Sequence, residues 1–516
     1  MTRKILLLLS CLLPLVAPAQ KKDKQAMKAA ATISAGDLQK HLYIIASKEM
    51  QGRNTPSPGL EKAAAYIEAH FRSLGLLPGN NGSYRQTYPL YKDSVVSAGI
   101  NIKGTAFALN KDFQPVISNY NASMRFSEVV FAGYGISDDQ RDDYKDLDVA
   151  GKLVIVVDQT PPGYKAANTP RGQAGPSTLQ GKMTNASKRG ASALLLINYN
   201  FPKKPAPLVS NWNMRGGYLP KQNIFAFNVS PGLAASLLGL DTSALSDKEN
   251  QGKLFGKTYE TETELSFSKF TLQTTASNVL GLLEGTDLKD EYVLVTAHYD
   301  HLGMQNDTTI YYGADDDGSG TTGLLELAEA FAEAKKAGHG PRRSILFMTV
   351  SGEEKGLWGS SYYSRHPVYP LENTSVDLNI DMIGRIGREY KADKDSANYI
   401  FIIGDDKLST DLAVITDKVN SQYVSMKLDR RYNDPKDPNR YYFRSDHYNF
   451  AEKGVPVIFY FNGTHADYHR PTDTPDKINY PLMASRVKLV FFTAWEMANR
   501  NEMMKRDIIM EKPKGF

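Results

Sequence analysis

Apolar positions along this 516-residue chain follow three different rhythms, and the changes of rhythm divide it. Between Ser34 and Leu76, the residues Leu38, Leu42 and Ile45, then Ala63, Ala64, Ile67 and Phe71, are spaced for one buried helical face. Gly52 and the stretch Pro56 to Gly59 interrupt that spacing and predict two helices joined by a loop. From about Phe113 to Leu272 the texture becomes short apolar runs, at 128–132, 153–157, 193–197 and 224–228. They are separated by Gly, Pro and Asp clusters such as Pro161-Pro162-Gly163 and the stretch 168–175, which predicts a β-rich module with few helices. After Ser277, apolar strands at 292–297 and 344–350 flank a helical stretch at 320–336. That alternation predicts βαβ units and a parallel sheet covered by helices. The fold class expected is therefore α/β, a mixed and mostly parallel sheet flanked by helices. A helical piece at 20–110 and the region 273–516 would form one domain, with the β-rich module 111–272 inserted between them. No internal repeat or long low-complexity segment competes with this division.

The first residues follow another logic. Met1 to Lys4 carry positive charge, Ile5 to Val16 are apolar, and Ala17-Pro18-Ala19 is a small-x-small site before Gln20. This is the layout of a secretory signal peptide over 1–19, its apolar stretch being shorter than the roughly 20 residues that span a bilayer. The expected location is exported, periplasmic or secreted, with no stable membrane insertion once the signal is cleaved. A lipoprotein anchored at Cys11 is the weaker layout, because cleavage there leaves the apolar Leu12 to Val16 at the head of the mature chain. Cys11 is the only cysteine, so disulfides, a thiolate nucleophile and a cysteine-ligated metal are excluded from the mature chain. Any metal must be held by His, Asp and Glu. Lys and Arg total 61 against 57 Asp and Glu, without a basic run, which argues against a nucleic acid partner.

Five clusters of such residues follow apolar strands. The first is His298-Tyr-Asp300-His301 after Tyr292 to Ala297, placed where an open α/β sheet binds ligands, beyond the carboxyl ends of its strands. The second is Asp315-Asp316-Asp317 before a helix. A helix N-terminus accounts for one of these acids, or two; crowding all three is most simply explained by a cation. The third is Glu353-Glu354 after Ser344 to Val350. Adjacent glutamates suit a site where one carboxylate binds metal and its neighbour takes a proton, although a solvated loop also accommodates them. The fourth is Asp381, which interrupts an apolar strand end, and buried acids are seldom left unpaired. The fifth follows Val455 to Phe461 and contains His465, Asp467, His469 and Asp473, with one of the two histidines an exposed bystander. Carboxylates and imidazoles without sulfur favour zinc over manganese or cobalt.

In this order the clusters resemble the zinc-dependent exopeptidases of the aminopeptidase S and aminopeptidase Y type, from His298 to His469, with Met50-Gln-Gly-Arg53 adding to the likeness. The insert, through Phe131-Ala-Gly-Tyr-Gly135, 149–157 and 182–197, resembles the protease-associated domain often found in these enzymes. The resemblance implies two zinc ions per chain. His298 and Asp381 would hold one, Glu354 and His469 the other, and Asp316 would bridge them, chosen by its place three residues before Ser319 with its neighbours as alternatives. It further implies that Asp300 orients His298, that Glu353 is the general base, that Tyr468 polarises the scissile carbonyl and that Arg444 touches substrate.

The function expected is that of an exported metallo-aminopeptidase acting on peptide or protein N-termini. A water shared by the two zinc ions would attack the peptide carbonyl after giving its proton to Glu353. A free α-amino group would be drawn to the acidic cluster. The main alternative is a metallocarboxypeptidase or dipeptidase on the same fold, which needs a cation such as Arg385, Arg440 or Arg444 for the substrate carboxylate. From another class comes an inactive, receptor-like peptide-binding protein, which should lack ligands; glutaminyl cyclisation is a further enzymatic possibility. The sequence leaves the oligomeric state open.

Overall fold

The computed structural model describes residues 22–117, 119–165, 175–205, 207–214, 224–246, 252–391 and 397–510. The expected signal peptide over 1–19, with Cys11, lies outside the described residues. The chain forms two compact units, one from residues up to Gln86 together with Asn278–Met510, the other centred on Thr87–Ser277. It passes between them within the long strands Arg85–Ile102 and Thr258–Leu283.

In the first unit the sheet order is Lys427–Asp429, Tyr399–Ile403, Val457–Phe461, Thr374–Ile380, Leu288–His298, Arg343–Val350 and then residues 279–283. Leu288–His298 runs parallel to both neighbours, and Thr374–Ile380 parallel to Val457–Phe461. Four carboxyl ends therefore meet at one edge. The strands Arg343–Val350 and Thr374–Ile380 are buried at every position, as expected of parallel strands covered on both faces. Helices Gly320–Lys336 and Tyr480–Asn499 pack against these strands. The expected N-terminal pair is present as Ala35–Ile45 and Pro58–Ser73, and Lys24–Ala30 precedes it. Ser34 and Ser57 cap the pair by accepting from Asp37 N and Leu60 N at 3.1 Å each.

The loop between these helices has a positional task. Arg53 is wholly buried, and its guanidinium donates to the carbonyls of Ile45, Tyr299, Tyr312 and Gly313 at 2.7–2.9 Å. It thus fastens the loop after strand Leu288–His298 to the N-terminal helices. Gly52, at φ +66°, sits so close that a Cβ would meet the Gly303 carbonyl oxygen at 2.4 Å.

The second unit starts at Thr87 rather than near 111, because Ile100 and Ile102 of the strand Arg85–Ile102 enter its core with Phe113, Phe131, Leu153 and Phe227. Its strands Ala122–Phe131, Leu153–Val157, Ala193–Ile197 and Phe225–Val229 are mutually parallel and adjacent in that order. Helices Leu179–Lys188 and Pro231–Leu238 lie between strands in sequence, so the unit is less purely β than its short apolar runs predict. Helix Leu179–Lys188 escapes pattern reading because it buries Gly181, Lys182 and Ala186 beside a single large apolar residue, Met183.

Candidate active site

His298 is the last residue of its strand, and Asp381 directly follows Thr374–Ile380. Glu353 and Glu354 form a short turn after Arg343–Val350, and His469 lies beyond Val457–Phe461. The parallel sheet brings all of them to one edge. His298 Nε2 stands 3.3 Å from Asp316 Oδ1, 3.6 Å from Asp381 Oδ1 and 4.0 Å from Glu353 Oε2. On the other side, His469 Nε2 is 3.0 Å from Asp316 Oδ2 and 3.3 Å from Glu354 Oε2. Asp316 therefore offers one oxygen to each of two groups of donors.

The neighbouring acids have separate duties. Asp317 accepts from the backbone N–H of His298, Gly320 and Met382 at 2.8–3.2 Å, stapling two strand ends to the helix that follows. Asp315 accepts from Gly384 N at 2.7 Å and faces His465 Nε2 at 3.0 Å. Of the three consecutive acids, Asp316 is the one that meets His298 and His469. His465 is not an exposed bystander: it is buried against Asp315, whereas the His469 side chain keeps 37% of its exposure.

His301 joins the second group. Its Nδ1 lies 2.9 Å from Glu354 Oε1 and 4.0 Å from Asp316 Oδ2, and the ring is fully buried. Sequence reasoning passed over it, although its place three residues after His298, between the same acids, is a usable signal. His298 Nδ1 lies 3.1 Å from the Asp300 carbonyl and 3.7 Å from its carboxylate. The Asp300 carboxylate instead accepts from Glu353 N at 3.1 Å. Asp300 thus touches both Glu353 and His298.

Charge and burial act strongly on this cluster. Burial alone would lift the Asp316 carboxyl, but His298 and His469 hold it well below the usual range. Burial alone would depress His469, yet Asp316 and Glu354 push it up to about 10. Burial raises Glu353 well above an ordinary glutamate, assisted by Glu354 and Asp381 against the pull of His298. Short as the His301–Glu354 and His469–Asp316 separations are, the buried atoms His298 Nε2, both His301 nitrogens, Asp316 Oδ2 and Glu354 Oε1 make no well-formed hydrogen bond among the described residues. Two triads, His298–Asp316–Asp381 and His301–Asp316–Glu354, each bring their donor atoms within 4.8 Å of one another. Unsatisfied imidazole and carboxylate atoms converging in this way fit divalent cations and would be costly without them.

A cavity opens onto the cluster. It is lined by Asp316, Glu353, Asp381, Met382, Tyr441, Arg444, Phe459, Phe461, Thr464, Tyr468 and His469. Tyr468 stacks on His469 at 3.9 Å, and Arg444 Nη2 donates to its hydroxyl at 3.3 Å. Burial and then Asp316 keep that phenol protonated.

The fold and this donor set together describe a candidate metal centre at the carboxyl edge of an α/β sheet. Residues 278–494 match the model of Peptidase family M28. Aminopeptidase YwaD of Bacillus subtilis (strain 168) is 28% identical over 212 residues, covering 41% of this chain and 38% of the relative. A probable leucine aminopeptidase of Arthroderma otae is 30% identical over 217 residues, covering 41% of this chain and 56% of the relative. The chain thus spans little more than half the length of these curated relatives at most. The solved aminopeptidase from Aneurinibacillus sp. strain AM-1 shares the fold at a TM-score of 0.50 and 18% identity, over 94% of this chain and 99% of that one.

Proposed function

We propose that this protein is an exported metallo-aminopeptidase that holds two zinc ions. The observation that carries the reading is Asp316, one carboxylate between two buried donor groups, His298 with Asp381 and Glu354 with His469 and His301. Zinc in such a ligand set supplies a polarised water and a Lewis acid for the scissile carbonyl. The chain's own residues do the rest. Glu353, lifted by burial and held at its backbone by Asp300, takes a proton at its carboxylate and returns it to the leaving amine. The Tyr468 hydroxyl, steadied by Arg444, donates to the developing oxyanion. The carboxylates of Asp316, Glu353 and Asp381 attract a free α-amino group, while Met382, Tyr441, Phe459 and Phe461 receive a large apolar N-terminal side chain. The unit 87–277 serves as a protease-associated domain in this reading, and the expected signal peptide supports export.

Arg444 in the same cavity favours a second reading, a carboxypeptidase or dipeptidase that pairs it with a substrate carboxylate. Arg385 is unsuited to that task, being paired with Asp467 at 2.9 Å. Amino-acid p-nitroanilides with N-blocked controls, assayed together with zinc content, separate these readings. Cleavage restricted to free N-termini and fastest for Leu or Phe is expected. Glu353→Ala should keep its zinc and lose on the order of 10²- to 10⁴-fold in kcat. Cleavage of N-blocked peptides from their free carboxyl end would establish the second reading instead, and zinc binding without cleavage of either kind would reject both.

A further inference from the structure

A second cluster of metal-binding side chains lies on helices that the proposed chemistry does not use. Ala35–Ile45 and Pro58–Ser73 each pack against Gly320–Lys336, and the three helices carry His41, His70 and Glu329, whose donor atoms come within 4.8 Å of one another. The two imidazoles meet edge to face with centroids 4.7 Å apart. His41 Nδ1 is engaged by the Tyr66 hydroxyl at 2.8 Å, which leaves Nε2 facing Glu326 Oε1 at 3.7 Å. Glu326 and Glu329, three apart, share one face of their helix. Glu326 is only 3% exposed, yet among the described residues its Oε1 has no hydrogen-bond partner, and neither has the buried Nε2 of His70. The lysines that act on Glu329, Lys40 and Lys336, are committed to Asp37 at 2.7 Å and Glu333 at 2.8 Å.

Buried imidazole and carboxylate atoms left facing one another without partners are costly, and a cation among them removes the cost. The pattern also has outer support. Tyr66 fixes one ring of His41, and the Leu325 backbone holds His70, as expected where the remaining nitrogens point to a metal. We infer that His41, His70 and Glu329, with Glu326 beside them, form a separate site for a divalent transition ion such as zinc. Two nitrogens with one or two carboxylate oxygens suit zinc and its neighbours rather than calcium or magnesium. Its role is structural: it ties the two N-terminal helices to the helix that begins just after Asp316.

The test keeps this site apart from the Asp316 cluster. In full-length protein carrying His298→Ala and Asp316→Ala, stripped by chelator, zinc is titrated by equilibrium dialysis with circular dichroism as the folding control. About one equivalent should remain, and adding His70→Ala should abolish it. In the same background Tyr66→Phe, which keeps the ring and loses the hydroxyl, should weaken zinc roughly 10- to 100-fold. His70→Ala in an otherwise unchanged chain should leave peptidase turnover intact with zinc supplied. A folded background protein that binds no zinc, or one whose remaining zinc survives His70→Ala and Glu329→Gln, overturns the inference while leaving the aminopeptidase reading untouched.

Discussion

Asp315, Asp316 and Asp317 show how far neighbouring identical side chains diverge once the backbone aims them. Asp317 accepts three backbone N–H groups and Asp316 faces imidazoles, so the two should fail in different ways. Asp316→Ala is expected to lose the zinc of its own cluster with little change in the melting temperature of chelator-treated protein. Asp317→Ala should cost on the order of 2 kcal/mol or more, because three buried backbone donors lose their acceptor, and thermal unfolding of the chelated variants checks the contrast. Asp429 gives a pH signature. Burial opposes its charge, but Arg431 and Tyr390, at 2.6 Å each, together hold its carboxyl below the usual range. A folded-state pKa below the unfolded one contributes stability that is present above about pH 4 and lost as pH falls further. Asp429→Asn should therefore shrink the fall in melting temperature between about pH 4 and pH 2.5. An equal fall in both proteins would show the pair to be without effect.

Among the elements, the helices Ala35–Ile45 and Pro58–Ser73 were legible because amphipathic spacing, a serine cap and a breaker between them agree. Ser57→Ala should cost about 1 kcal/mol, since Leu60 N loses its acceptor, and denaturant unfolding checks it. The start of Gly320–Lys336 is more constrained. A Cβ on Gly320 would lie 2.4 Å from both Asp317 carboxylate oxygens and from the Ile380 carbonyl oxygen. Gly320→Ala should thus push the Asp317 staple aside, costing on the order of 1–3 kcal/mol and weakening zinc retention, measured as metal remaining after dialysis. No periodicity signals this requirement, because it arises from a strand end more than fifty positions further along the chain.

For the molecule entire, each unit has its own apolar core, one including Leu294, Leu346, Phe401 and Phe459, the other Phe131, Ile155, Leu195 and Phe227. Calorimetry should accordingly resolve two transitions. Chelation should lower only the one belonging to the unit that contains Asp316, and zinc at 100 times its dissociation constant should restore about 2.7 kcal/mol per site. A single transition, or an equal shift of both, would show that the units do not unfold independently.

Apolar rhythm and residue chemistry were enough to place strands near 292–297 and 344–350, to find the N-terminal helices and to set His, Asp and Glu at strand ends, because these features are written in local order. The first bound of the inserted unit was not, since Ile100 and Ile102 count as core only beside strands from later in the chain. The site formed by His41, His70 and Glu329 was hidden for the same reason. A donor atom acquires meaning from what converges on it, and convergence across three helices or four strand ends is a property of packing, which no local pattern carries.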